Sequence, residues 1–356
     1  MKRRDWRIAV VYLVVSLANA VARYGHVAFG DAMVDKDARN SYRPLAEAVT
    51  SGTPLYFDGA ATNKPPGFLL TDVAIESLGH YLPVFLLVVG LCNFGGAFLL
   101  YRYLGRDDWR AGAVAGGIFL LALYPVSGYY VNVRSFAVLF LLGSLVASAP
   151  LARGALFALA GLFTQYVVFL LPLVARPVLS RSNFDARKLL TFCASGVAVT
   201  ALAWALVGGL WGPRSVLAGL DWTYGLPTGV ETDPAWGDRT GVGGGTDPKT
   251  YLARSWLVAR PQLWAARFGL HSAPIVPVLL GAAFGAFHAL RDRSRFRRRI
   301  VAAAALAALP FLVRTLIDYW ILPLPFLSAL AALYVTAYLP RRADIESGRA
   351  TARSPD

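Results

Sequence analysis

The stretch that decides the fold is GALFALAGLFTQYVVFLLPLVA, Gly154 to Ala175. It is apolar almost throughout and long enough for one membrane crossing, since a tilted helix needs about 20 such residues. Yet Arg153 stands before it, and Arg176, Arg181, Arg187 and Lys188 follow it. A single crossing would separate these basic flanks. It would also leave the later run RDRSRFRRR, Arg291 to Arg299, facing out, against the tendency of Lys and Arg to stay on the cytoplasmic side. A re-entrant pair of half-helices turning near Thr164-Gln165 resolves the conflict, because irregular backbone is tolerated at membrane depth when protein buries it. One ordinary crossing, with a boundary misplaced elsewhere, is the competing reading.

Working outward, eight further apolar runs approach spanning length: Ile8 to Ala22, Tyr81 to Tyr101, Ala111 to Tyr130, Ser135 to Ser148, Leu189 to Gly209, Ala273 to Leu290, Ile300 to Val313 and Trp320 to Leu339. The first lacks a small-residue cleavage site and reads as a retained span rather than a signal peptide. Composition agrees: 56% of residues are hydrophobic and 16% charged, against about 25% charged in soluble domains. The expected architecture is all-α, a polytopic membrane helix bundle of about eight full spans plus the half-helix pair. It forms one domain over residues 1–340, followed by a polar cytoplasmic tail, 341–356.

With both termini inside, the inner side carries 22 Lys/Arg and 8 Asp/Glu, and the outer side 13 of each. Part of this charge selects the parity, and the arrangement accounts for the whole net charge of +14. No nucleic-acid partner is required. Cys92 and Cys193 lie inside apolar runs and the four histidines are scattered, which excludes a disulfide framework and a zinc set. No GxxxxGK, HExxH or GxSxG element occurs either.

Two large loops then face out, 30–80 and 210–271. In the first, Asp31, Asp35 and Asp37 follow the first span and precede a short amphipathic helix beginning near Ser41, with Tyr42, Leu45, Ala46 and Val49 at helical spacing and Gly52 placed to end it. A carboxylate at the membrane rim, partly desolvated, suits a general base; solvation of the loop is its plain alternative. Lys64-Pro65-Pro66 is a rigid cationic turn. From Gly67 to His80, Asp72, Glu76 and His80 alternate with apolar residues, as in a helix lying in the interface. Arg134 and Arg314 stand at outer ends of apolar runs, where charge is costly and either has a partner or snorkels to headgroups. The second loop carries Trp211, Trp222, Trp236, Trp256 and Trp264, the run Gly241 to Gly245, and an expected interfacial helix over Tyr251 to Phe268. Tryptophan suits sugar stacking and membrane interfaces alike. Asp221, Asp233 and Asp238 there are possible second carboxylates.

Taken together, the acidic residues after a first span, Tyr42-x-x-x-Ala46, Gly52-x-Pro54-Leu-Tyr56 and Lys64-Pro-Pro resemble the first outer loop of the GT-C superfamily of integral-membrane glycosyltransferases. The closest likeness is to the branch of dolichyl-phosphate-mannose protein mannosyltransferases and lipid A aminoarabinose transferases. It covers about Gly30 to Tyr101. Arg314 with Asp318-Tyr319-Trp320-Ile-Leu-Pro323-Leu-Pro325 is similar to the opening of that branch's last core span, and the turn near Gln165 to its short half-helix segment. The chain departs from the pattern at Ala38, where many members have a second acidic residue, at Asp318, where they have His, and in lacking a large C-terminal outer domain.

The resemblance implies inverting transfer of mannose or a similar hexose from a polyprenyl- or dolichyl-phosphate carrier to a hydroxyl of a glycan, lipid or protein acceptor. This would occur at the extracytoplasmic face of the cell membrane. It places the essential aspartate at Asp37, with Asp35 second. Lys64, Arg39, Arg43, Arg134 and Arg314 are candidates to hold the phosphate, and Tyr42, Asp318 and Tyr319 to line the substrate site. No metal or other cofactor is expected, because cations handle a monophosphate leaving group in that branch. Two other classes stand beside this one: a flippase or transporter of lipid-linked sugar, and an inactive scaffold of glycan assembly. A transporter would bury ionisable residues at mid-span, whereas here they collect at the outer rim.

Overall fold

The computed structural model describes residues 3–28, 42–57, 64–127, 134–175, 185–224, 275–291, 294–309 and 321–338. These form helices and turns: α1 (Arg3–Ala28), α2 (Arg43–Thr50), α3 (Pro66–Glu76), α4 (Tyr81–Leu104), α5 (Trp109–Ser127), α6 (Arg134–Val146), α7 (Pro150–Gly161), a 3-10 helix (Gln165–Leu170), α8 (Leu171–Ala175), α9 (Ala186–Trp211), α10 (Pro213–Tyr224), α11 (Ile275–Arg291), α12 (Arg295–Ala308) and α13 (Leu324–Tyr338).

Three of them, α1, α4 and α9, are long and apolar enough to cross a membrane. Their surfaces say which solvent they suit. Val21 on α1 is 71% exposed, and Leu190 and Val197 on α9 are 70% and 68% exposed. In water such stripes would be an aggregation surface, whereas lipid accepts them. α4 is more enclosed and packs against α1, α5 and α6. The described residues are therefore all helix and turn, in a bundle whose long apolar helices suit a membrane. α5, α6, α11 and α13 are apolar over shorter described lengths. Three helices of spanning length thus stand where the sequence suggests eight spans, and the expected span Ile300 to Val313 runs beyond the described residues.

Side-chain contacts fix the direction of the helices. α1 and α5 run parallel: Tyr12 Oη donates to the Ala113 carbonyl at 2.6 Å and Arg23 Nη2 to that of Leu123 at 3.1 Å. α4 runs against α1, with Tyr101 Oη donating to Asp5 Oδ1 at 2.5 Å at one end while Gly90 backs onto Ser16 and Ala20 further along. α6 follows α4, since Gly95 lies on Leu139 and Gly143 near Leu99. α7 and α9 are parallel to each other: Gly154 abuts Phe192 and Ser195, and Ala158 lies near Gly196. Glycine there lets two backbones approach, as small residues do between membrane helices.

Between α7 and α9 the chain doubles back. Arg153 Nη1 donates to the Val174 carbonyl at 3.4 Å, 21 residues on; a straight helix would put these residues about 32 Å apart. The break falls at Leu162 to Thr164, where Thr164 is extended (φ −159°, ψ 125°) and the 3-10 helix begins at Gln165. α9 then restarts with Asp185 as its N-cap, accepting from the amides of Arg187 at 3.0 Å and Lys188 at 3.3 Å. One end of the bundle accordingly gathers Arg4, Arg102, Arg106, Arg153, Lys188 and the start of α12, which is tied in by Arg297 to Asp107 at 3.5 Å. This is the cationic end. The opposite, loop end carries α2, α3 and α10; α10 stands where the sequence reads as open loop.

Candidate functional site

The loop end is organised by two short helices. α2 buries Leu45, Ala46 and Val49 and is followed by Gly52 at φ +99°, a left-handed conformation that favours glycine. Just before it, Tyr42 is buried edge-on against Phe68, with ring centroids 4.7 Å apart, and Phe85 lies 6.2 Å away. α2 and α3 are also joined by charge. Arg43 Nε lies 2.8 Å from Glu47 and 3.9 Å from Glu76, so this guanidinium is directed at carboxylates of the scaffold.

Lys64 is held from several directions. Pro65 is extended (φ −64°, ψ 157°) and Pro66 opens α3, where its missing N–H costs nothing. The Lys64 carbonyl accepts from Tyr56 Oη at 3.0 Å and from Thr223 Oγ1 of α10 at 3.4 Å. Its ammonium lies 5.8 Å from the Tyr42 ring centroid, within cation–π reach. Tyr56 has φ +71° and is the one non-glycine residue with positive φ among the described residues; a bulky side chain rarely takes that conformation, and such strain concentrates at functional sites. The Tyr56 ring is fully buried and stacks on Trp204 of α9 at 6.0 Å. Below, the Phe68 amide donates to the Leu162 carbonyl at 3.2 Å. A Cβ on Gly67 would lie 2.7 Å from Leu162 Cβ and 2.8 Å from its oxygen. The Lys-Pro-Pro-Gly turn is therefore seated on the tip of the α7–α8 hairpin.

Asp72 departs from the interfacial reading of α3. It is 1% exposed and faces inward among Phe68, Leu69 and Ile75, which are also buried. Tyr81 Oη donates to Asp72 Oδ1, and Asp72 Oδ2 meets no hydrogen-bond partner among the described residues. Burial pushes the carboxyl up to about 8, nearby Glu76 adding to the rise and the Tyr81 hydrogen bond opposing it. Asp72 is thus neutral at pH 7. An unfolded chain loses that proton near 3.8, so the stability tied to Asp72 is complete below that pH, declines as pH rises, and is lost beyond about 8. The unfolding temperature in detergent should fall between about pH 4 and 8 and level off above, and Asp72→Asn should flatten the fall. An equal fall in that variant would assign it to another group.

Of the other residues singled out in the sequence, Arg134 is 5% exposed in the first turn of α6, at the loop end. Asp35, Asp37, Arg39, Arg314, Asp318 and Tyr319 lie outside the described residues, as do the Tyr251 to Phe268 segment, Asp233, Asp238 and the tail. Asp221 lies on α10. The sequence reading brought out Tyr42 and Lys64, which the fold places together. It did not bring out the Asp72–Tyr81 pair or the part played by Thr223; the positive-φ Tyr56 left no sequence signal beyond the Pro54-Leu-Tyr56 motif. No protein-family model and no curated protein sequence matches this chain.

Proposed function

We propose that the chain is a membrane glycosyltransferase that moves a hexose from a polyprenyl-phosphate carrier to an acceptor hydroxyl, with inversion. The cationic end faces the cytoplasm, in keeping with the bias of Lys and Arg. Both termini are then inside and the chain crosses eight times, counting the shorter apolar helices. The α7–α8 hairpin re-enters from the cytoplasmic side, and loops 30–80 and 210–271 lie outside. The acceptor oxygen bonds to the anomeric carbon as its proton passes to Asp37, or to Asp35. The bond from that carbon to the phosphate oxygen breaks, and the electron pair leaves with the phosphate. One carboxylate opposite the leaving group suffices for inversion.

The leaving phosphate gains charge in a poorly hydrated site and requires fixed cations. Lys64, Arg39, Arg134 and Arg314 serve as these, with Tyr42, Asp318 and Tyr319 lining the substrate site; Arg43 braces α2 against α3. The observation that supports this reading most is the fixture of Lys64: two prolines, two hydrogen bonds to its carbonyl and the Tyr42 ring hold a cation five residues along the chain from Asp37 at its nearest partner, Tyr42. A solvated loop has no need of that restraint.

The test is transfer by the purified full-length protein in liposomes, supplied with labelled polyprenyl-phosphate mannose or glucose and candidate acceptors. Lys64→Met keeps the stem and removes the charge, and should lower the rate about 10- to 1,000-fold. Transfer unaffected by that change removes Lys64 from the site. No transfer from any lipid-phosphate donor, alongside movement of labelled lipid between leaflets, makes the protein a transporter.

A further inference from the structure

The cationic end holds a cavity that the outer-face chemistry does not use. It encloses about 250 Å³ and is lined by Tyr103, Arg106, Asp107, Arg153, Phe296 and Arg299, among others. Its three arginines come from the α4–α5 turn, the start of α7 and the start of α12, segments far apart in sequence. The fold has brought three like charges together, which is unfavourable unless something negative sits between them.

What the protein itself supplies there is insufficient. Arg153 is only 8% exposed and donates through Nε and Nη2 to the Ala147 carbonyl and through Nη1 to that of Val174. Arg106 Nη2 donates to the Val146 carbonyl at 2.7 Å. These are dipoles, not counter-charges. Arg299 Nε is enclosed and meets no hydrogen-bond acceptor among the described residues. The cavity's carboxylate, Asp107, lies 3.5 Å from a fourth arginine, Arg297. No described carboxylate pairs with Arg106, Arg153 or Arg299.

We propose that this cavity is a binding site for a phosphate group, carried on an anionic lipid headgroup or free in solution. Guanidinium forks match phosphate oxygens in geometry and charge, and the backbone bonds of Arg106 and Arg153 fix two of the three forks before any ligand arrives. The Tyr103 and Phe296 rings, with centroids 5.3 Å apart, add apolar wall beside the charges, which suits a phosphate attached to an organic group.

Full-length protein in neutral detergent is titrated with inorganic phosphate and pyrophosphate, with chloride at matched ionic strength as control, and its unfolding temperature is followed. In parallel, nanodiscs of phosphatidylcholine alone or containing phosphatidic acid are compared by the lipid each retains in native mass spectrometry. Arg153→Met risks the fold, because it removes the bonds to Ala147 and Val174; Arg299→Gln does not, and is the main variant. The expected result is stabilisation by phosphate or selective retention of phosphatidic acid, weakened at least about tenfold in Arg299→Gln. Response in the lipid arm alone identifies a headgroup site, and response in the soluble arm alone a free phosphate site. No response in either arm, a response matched by chloride, or one unchanged in Arg299→Gln overturns the proposal.

Discussion

Replacing Asp37 by asparagine is expected to slow sugar transfer about 10²- to 10⁴-fold, the range for losing a general base. That corresponds to about 3–5 kcal/mol of barrier. The amide keeps the shape of the side chain and its capacity to accept a hydrogen bond, but it cannot take the proton that the acceptor hydroxyl must shed. Initial rates with labelled lipid donor, measured beside the folded fraction by gel filtration, separate chemistry from stability. Asp35→Asn serves as the comparison, since the two residues compete for one role. If Asp35→Asn alone abolishes transfer, the base moves two residues toward the first span. If neither variant is impaired, the proposed chemistry of this loop is wrong.

The second large effect concerns a backbone contact. Gly67→Val introduces a branched side chain whose Cβ would fall 2.7 Å from Leu162 Cβ and 2.8 Å from the Leu162 carbonyl. Part of that obstacle is main chain at a helix break, so rotamer changes cannot relieve it. Overpacking of this kind costs about 1–3 kcal/mol, with the upper end expected here. The damage should reach function too, because Gly67 is three residues from Lys64 and the same turn positions the ammonium over Tyr42. Gly117→Ala is the control, as nothing lies within 4 Å of its added methyl. Thermal stability and transfer rate are expected to fall together in Gly67→Val and to stay near wild type in Gly117→Ala. A Gly67→Val protein with full activity would show that the seat on the hairpin is not needed.

Much of this was legible in the amino-acid order where a local rule applied. The spacing of Tyr42, Leu45, Ala46 and Val49 and the stop at Gly52 gave α2 nearly to the residue, and two prolines announced a rigid turn before α3. The doubling back at Thr164 was legible from charge, because arginines on both flanks of an apolar run are hard to reconcile with one crossing. Asp72 was not legible: amphipathic reasoning sends an acid outward, and only the aromatic wall from Phe68 and Tyr81 turns it in. The gathering of Arg106, Arg153 and Arg299 was hidden for a different reason, since each belongs to a separate connection and no sequence spacing relates them. Helix α10 was missed because its Gly, Arg and Trp content resembles a loop, and its partners, Tyr56 and Trp204, are distant in the chain.

The turn at Leu162 to Thr164 has a consequence for biogenesis. Its Leu162 carbonyl takes its partner from outside the segment, the Phe68 amide, and Gly154 packs on Phe192 and Ser195 of α9, so residues 150–175 are less suited than α4 to release into lipid as a finished unit. One receptor for this segment, α6, is made before it, but α9 and the Gly154 contact surface it offers are translated afterwards. The hairpin is therefore expected to complete its packing only when α9, synthesised later, reaches the Gly154 surface, an order of assembly that departs from the order of the chain.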